Sequence, residues 1–238
     1  MASILNIETA TPLCSVALAI DGKVIAVRET LEEKSHAARL TVFIEELLKE
    51  KNFNIADLDA IAIGKGPGSY TGLRIGVSTA KGLCYGANLP LIAVNTLNVL
   101  FKQVIIHLSS GIQEALTSPD TLFCPMIDAR RMEVFTCLFN NQGDEVEPVA
   151  ARLIDQYTYQ QHLAEHTIVF FGSGMEKCRD ILSQPKAVFI SGVHPHSSSL
   201  ALLAEERYNQ NLFENIAYFE PYYLKDFIAT TSKKGLRV

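Results

Sequence analysis

The stretch GKGPGSYTGLRIGVSTAKGL, residues 64–83, crowds glycines, a proline and hydroxyl residues between an apolar run and a helix-patterned segment. Such a loop can cradle a phosphate, turn the chain tightly or let another backbone come close. A P-loop needs lysine after its last glycine, leading into the helix, but Lys65 precedes Gly66, Pro67 and Gly68. The dinucleotide spacing G-x-G-x-x-G fails because Thr71 stands where the third glycine belongs. What remains is a helical stripe: Gly72, Gly76 and Ala80 recur every four residues, with Leu73 and Val77 beside them. Glycine inside a helix costs about 0.5–1 kcal/mol relative to alanine, so a close contact must offset it. The stripe therefore reads as an interface, either with a helix of the same fold or with one of a second chain. Gly68 and Ser69 at the helix start could also meet an anion. Arg74 lies in the first turn, where a cation opposes the helix dipole, so it reads as the answer to an acid or a phosphate.

Two acids stand at matching places. Glu8 follows the first apolar run and Asp128 follows another about half the chain later. Each reads as a turn cap, and a shared role would need the two to converge across one cleft. His162 and His166 have i, i+4 spacing but lie in the polar run QQHLAEH, and His194 and His196 precede an expected N-cap at Ser197. Both pairs read as surface or turn residues. Five cysteines without C-x-x-C spacing argue against a disulfide framework and a zinc cluster, and read as small buried hydrophobes. No G-x-S-x-G elbow supports a serine hydrolase.

The elements that must position these residues follow from periodicity. Strands are expected near 3–10, 14–20 and 23–29, with Asp21-Gly22 as a hairpin turn. A helix over Ser35–Glu50, capped by Ser35, places Leu40, Phe43, Ile44 and Leu47 on one stripe. Strands at 59–63 and 90–94 flank the glycine-loop helix, and another helix starts near Asn95. The second half repeats the order: strands near 121–128, 132–140 and 146–153, helix 155–165, strand 167–172, a short helix, strand 187–191 and helix 197–211. The chain thus reads as an α/β protein of duplicated βββαβαβα order, with lobes at 1–108 and 121–238 joined by a linker at 109–120. The tail after about 216 is expected to return toward the first lobe. At 48% hydrophobic and 20% charged residues the composition suits a soluble globular protein, and no apolar window is long enough for a membrane span. The chain carries no Lys or Arg before Lys23, so no basic secretory region is read and a cytoplasmic, membrane-free location is expected. A formal charge of −5 offers no broad footprint for nucleic acid.

The duplicated order resembles the actin, sugar-kinase and chaperone ATPase superfamily (ASKHA), in which acids at the first turn of each half help to hold a metal-nucleotide. More specifically, GPGSYTGLRIG with ILNIETATPLCSVAL, VNTLNVL, MIDARRMEVF, FGSG and PYYLK resembles the TsaB (YeaZ) family across nearly the whole chain. That resemblance implies a partner subunit in bacterial synthesis of threonylcarbamoyladenosine (t6A) in tRNA. It implies a heterodimer with TsaD through the Ser35–Glu50 and Thr71–Tyr85 helices, the ATPase TsaE in the assembly, and self-pairing when alone. It also implies tRNA contact indirectly through the complex, and ATP or ADP with Mg at the partner boundary, near Gly68, Ser69 and Arg74, rather than on the isolated chain. Relatives commonly carry Asp at the place of Glu8. The metal-gripping H-x-x-x-H of TsaD falls on Thr96 and Leu100 here, so a pseudoenzyme scaffold is expected, with no catalytic or metal residues of its own. The alternative is a small-molecule kinase or glycoprotease-like enzyme of the same fold, using Glu8 and Asp128. On the interface reading, Gly76→Leu should block pairing and leave the monomer folded.

Overall fold

The computed structural model describes residues 1–32, 35–107 and 118–225. The largely apolar segments near the start fold as an antiparallel meander of β1 (Ser3–Glu8), β2 (Cys14–Ile20) and β3 (Lys23–Thr30). Asp21 and Gly22 turn it with φ of 49° and 70°, the left-handed pair a two-residue hairpin needs. Next come α1 (His36–Glu50), a 3-10 turn at Ile55–Asp57, β4 (Ala60–Gly64), α2 (Tyr70–Ala87), β5 (Leu91–Val94) and α3 (Thr96–His107). β4 pairs in parallel with β1 and β5 with β4, and both are wholly buried, as strands covered on two faces must be.

The second half contains β6 (Thr121–Asp128), β7 (Glu133–Phe139), β8 (Glu145–Leu153), α4 (Gln160–Glu165), β9 (Thr167–Phe171), a 3-10 turn at Glu176–Cys178, β10 (Ala187–Ile190) and α5 (Ser197–Asn209). Its sheet order, β8-β7-β6-β9-β10, repeats the β3-β2-β1-β4-β5 order of the first half. The duplicated α/β order is therefore present. The helix expected at 155–165 starts only at Gln160, because Asp155 Oδ1 accepts hydrogen bonds from the amides of Tyr157 and Thr158 and from the Thr158 hydroxyl, folding those residues into a turn. Most of the expected linker, residues 109–117, lies outside the described residues.

One assignment changes. The sequence places the last helix in the second lobe, but α5 lies on the first sheet: Leu200 and Ala204 pack with Ile4, Ala62, Ile92 and Val94. In exchange, Leu97, Leu100 and Val104 of α3 join Phe123, Phe139, Val169 and Phe171 on the second sheet. Each sheet thus has its inner face covered by the other half's final helix, which buries apolar surface that a self-contained lobe would leave wet. Hydroxyls pin the exchange. Ser15 Oγ accepts from the Ser197 amide at 2.8 Å and lies 2.5 Å from Ser197 Oγ. Ser197 is consequently not the cap; the Nδ1 of His196 accepts from the Ser198 amide at 3.0 Å. Ser35 likewise donates its hydroxyl to the Glu32 carbonyl at 2.6 Å and makes no side-chain cap to α1.

After α5 the chain runs back over the first half. The Glu214 amide bonds the Leu91 carbonyl at 2.8 Å, Phe219 enters the core beneath α1 and α2, and the Tyr222 amide bonds the Lys65 carbonyl at 2.8 Å. Among the described residues no helix is long and apolar enough to cross a membrane.

Leu200→Ala is expected to cost about 2–5 kcal/mol, measured by denaturant unfolding. Because α5 covers the first sheet, amide-exchange protection should fall in α5 and β1 together; loss confined to α5 would contradict this packing.

Candidate functional site

The glycine loop is occupied by the chain's own backbone. Ser69 caps α2, its Oγ accepting from the Gly72 amide at 3.3 Å. The turn after β1 then sits on the bare side of the helix. A Cβ at Gly68 would lie 2.2 Å from the Ala10 carbonyl oxygen, at Gly72 2.1 Å from that of Thr9, and at Gly76 2.2 Å from Thr9 Oγ1. Hydrogen bonds lock this approach: Thr9 Oγ1 donates to the Gly72 carbonyl at 2.9 Å and the Ser69 amide to the Ala10 carbonyl at 2.7 Å. Close backbone approach is thus the loop's role, and its partner is intramolecular.

This corrects the interface expected from the stripe. Gly72, Leu73, Gly76, Val77 and Ala80 are buried within the first half, as are Leu40, Ile44 and Leu47 of α1, while Phe43 is half-buried against the same core. The buried side chains among these have no surface left for a second chain. It also corrects the Gly76→Leu expectation, since the added atoms would strike Thr9 and Ile63 of the same chain.

The two acids do not share an environment. Glu8 is fully buried, lying over Gly64, where a Cβ would come within 2.0 Å of its Oε2. Its Oε1 accepts from the Ala10 amide at 2.8 Å, and its Oε2 has no hydrogen-bond partner among the described residues. Burial pushes its pKa up to about 7, against the pull of the Ala10 and Thr9 amides. Asp128 instead is exposed at the end of β6, paired with Lys177 and accepting from the Arg130 amide at 2.9 Å. A magnesium-bound phosphate between Glu8 and the loop does not fit these residues: the carboxyl is sealed, and the Ala10 carbonyl already takes the Ser69 amide and the space over Gly68. Among the described residues no group of three or more His, Cys, Asp or Glu could hold a metal ion.

The positions matching the missing histidines have structural duties. Thr96 Oγ1 accepts from the Gly66 amide at 3.1 Å while its own amide donates to the Gly66 carbonyl at 2.8 Å, tying α3 to the loop, and Leu100 is buried on the second sheet. His162 approaches Glu147 at 3.6 Å and His166 Nδ1 approaches the Asp120 carbonyl at 3.2 Å, so the pair does not converge. All five cysteines are buried, and desolvation pushes the Cys14 thiol up to about 11 and those of Cys84 and Cys124 up to about 12, leaving no ready nucleophile.

A different surface emerges on the outward side of α2. Ser78, Gly82 and Gly86 are exposed at four-residue spacing, and a Cβ at Gly82 or Gly86 would meet nothing within 4 Å. Tyr85 stands beside them at 85% exposure. An open groove of about 770 Å³ separates this helix from α1, lined by Thr41, Ile44, Leu48, Phe53, Thr79 and Leu83 among others. The small-residue spacing was readable as a second stripe, but nothing in the sequence distinguished the inward stripe from the outward one.

Comparisons with known proteins agree with this architecture. A family model described as TsaD: tRNA N6-adenosine threonylcarbamoyltransferase matches residues 27–233. The tRNA threonylcarbamoyladenosine biosynthesis protein TsaB of Escherichia coli (strain K12) is 31% identical over 240 residues, covering 98% of each chain. Its namesake in Bacillus subtilis (strain 168) is 30% identical, covering 86% of this chain and 88% of its own. The solved structure of YeaZ from Pseudomonas aeruginosa superposes with a TM-score of 0.78 at 25% identity, over 94% of this chain and all of that one.

Glu8 gives the fold a pH dependence. Its folded pKa of about 7 exceeds the ordinary 4.5, so its contribution to stability is complete below about 4.5 and is lost as pH rises through about 7. Glu8→Gln should therefore melt higher than the parent at pH 8, by up to a few kcal/mol, and match it near pH 4.5. A pH-independent difference would contradict the sealed carboxyl. Gly76→Leu should lower stability by about 3 kcal/mol or fail to fold, and a normal melting temperature would contradict the Thr9 contact.

Proposed function

The chain belongs to the TsaB family and takes part in tRNA threonylcarbamoyladenosine biosynthesis, and we propose that it does so as a non-catalytic docking subunit for TsaD. The outward Ser78–Gly82–Gly86 stripe carries this reading. Two interior helix glycines cost about 0.5–1 kcal/mol each, and among the described residues nothing approaches them to offset that cost. A helix of another subunit can approach such a face closely, with Tyr85 and Val42 supplying apolar area at its edges. The same face serves self-pairing when TsaD is absent, because a two-fold contact uses one patch twice. TsaE joins the assembly through that heterodimer. ATP or ADP with magnesium belongs, on this reading, to the assembled boundary or the partner, since Glu8 is sealed within this chain.

Gly82→Leu with Gly86→Leu is expected to abolish association, read by light scattering, while the melting temperature holds or rises because leucine is the better helix former. Unchanged association would remove this face as the docking site. The purified chain alone should turn over no ATP; turnover abolished by Asp128→Asn would favour the kinase-like alternative.

A further inference from the structure

We propose that a strip running from the start of α2 to the β6–β7 hairpin binds single-stranded RNA by base stacking and phosphate pairing. The strip begins with a guanidinium and two tilted rings in contact. The Arg74 guanidinium lies 5.4 Å from the centroid of Tyr70, whose ring lies 4.9 Å from that of Tyr223. Tyr222 and Tyr223 are each 38% exposed. The backbone that carries them then crosses between the halves. Tyr222 bonds Lys65 in the first half, Leu224 packs on the second sheet's core, and Lys225 pairs with Glu133 at the base of the hairpin.

The hairpin ends the strip with Arg130 and Arg131. Both are exposed and both are held at positive φ, 70° and 50°. A non-glycine residue is disfavoured there, so the turn retains two long cations at a conformational cost that glycine would remove. Lys177 fixes the turn from beneath, pairing with Asp128 and donating to the Glu133 carbonyl at 2.7 Å. Among the described residues Arg74, Arg130 and Arg131 form no carboxylate ion pair, whereas Lys177 and Lys225 beside them do.

Exposed rings flanked by guanidiniums without carboxylate pairs match unstacked bases and their phosphates. They match a protein contact less well, because the strip lacks the apolar centre that such interfaces bury. Local placement also explains how a chain of net charge −5 can touch RNA: the cations are concentrated, and of the acids nearby Asp128 and Glu133 are each paired with a lysine, which leaves Glu220 beside Tyr223. The proposal rests on the chain's role in tRNA modification, and it makes the subunit a direct contributor to substrate binding at the edge of its docking face.

The test uses the full chain, alone and with its partner subunit, and a labelled anticodon stem-loop RNA, with a duplex RNA of equal charge as comparison. Arg130→Gly with Arg131→Gly should weaken stem-loop binding about tenfold or more and flatten its salt dependence by roughly one to two units of slope. Those variants should melt no lower than the parent, since the turn's φ strain is relieved. Tyr223→Ala should weaken stem-loop binding about fivefold or more and leave duplex binding unchanged. Affinity unchanged in both variants, or equal affinity for stem-loop and duplex, overturns the proposal. So does loss of subunit association with RNA binding intact, which would make the strip a protein contact. Failure of the docking reading is seen separately, as parent chains that do not associate in light scattering.

Discussion

The contact on which the rest depends is the seating of the Thr9–Ala10 turn against the bare side of α2. Three glycines, 68, 72 and 76, remove every Cβ that would block it, and two hydrogen bonds hold it there. Because the turn fills the loop, the amides that a phosphate would need are partly taken, and Glu8 is sealed beneath. A loop that in outline could serve nucleotide chemistry is here a piece of internal architecture. The exchange of α3 and α5 has the same character: hydroxyl pins at Ser15, Ser197 and Ser199 place polar atoms inside a largely apolar interior, which fixes one arrangement of the halves.

Sealing the interior leaves the surface to carry function. The chain has two kinds of exposed feature that its own fold does not use. On α2 the Ser78–Gly82–Gly86 face is smooth and uncharged, which suits close helix approach. At the helix start and the β6–β7 hairpin, arginines and tyrosines cluster, and among the described residues these arginines form no carboxylate ion pair. A smooth face and a charged, ring-bearing strip next to it would let one subunit hold a protein on one side and present nucleic acid along the adjoining edge. This division also explains why the buried acid and the exposed acid differ so sharply. Burial raises the Glu8 pKa to about 7, whereas Asp128 is spent on holding Lys177 and the hairpin.

Much of the fold was legible from residue pattern. Apolar periodicity and short apolar runs placed the strands, Asp21-Gly22 marked its hairpin, and the four-residue spacing of Gly72, Gly76 and Ala80 announced close approach along one helix side. Motif spacing excluded a P-loop and a dinucleotide site, and the residues GPGSYTGLRIG pointed to the right family. Those are local properties: turn geometry, helical periodicity and the presence or absence of a side chain act within a few residues, so sequence alone determines them. What only the tertiary structure decided is which surface each local feature meets. The stripe faces Thr9 and not another molecule, the last helix covers the other half's sheet, and Tyr223 reaches Tyr70 from more than half the chain away. An apolar or bare helix face is satisfied equally by any complementary surface, so its partner is chosen by the global packing that buries the most area, and no local pattern records that choice.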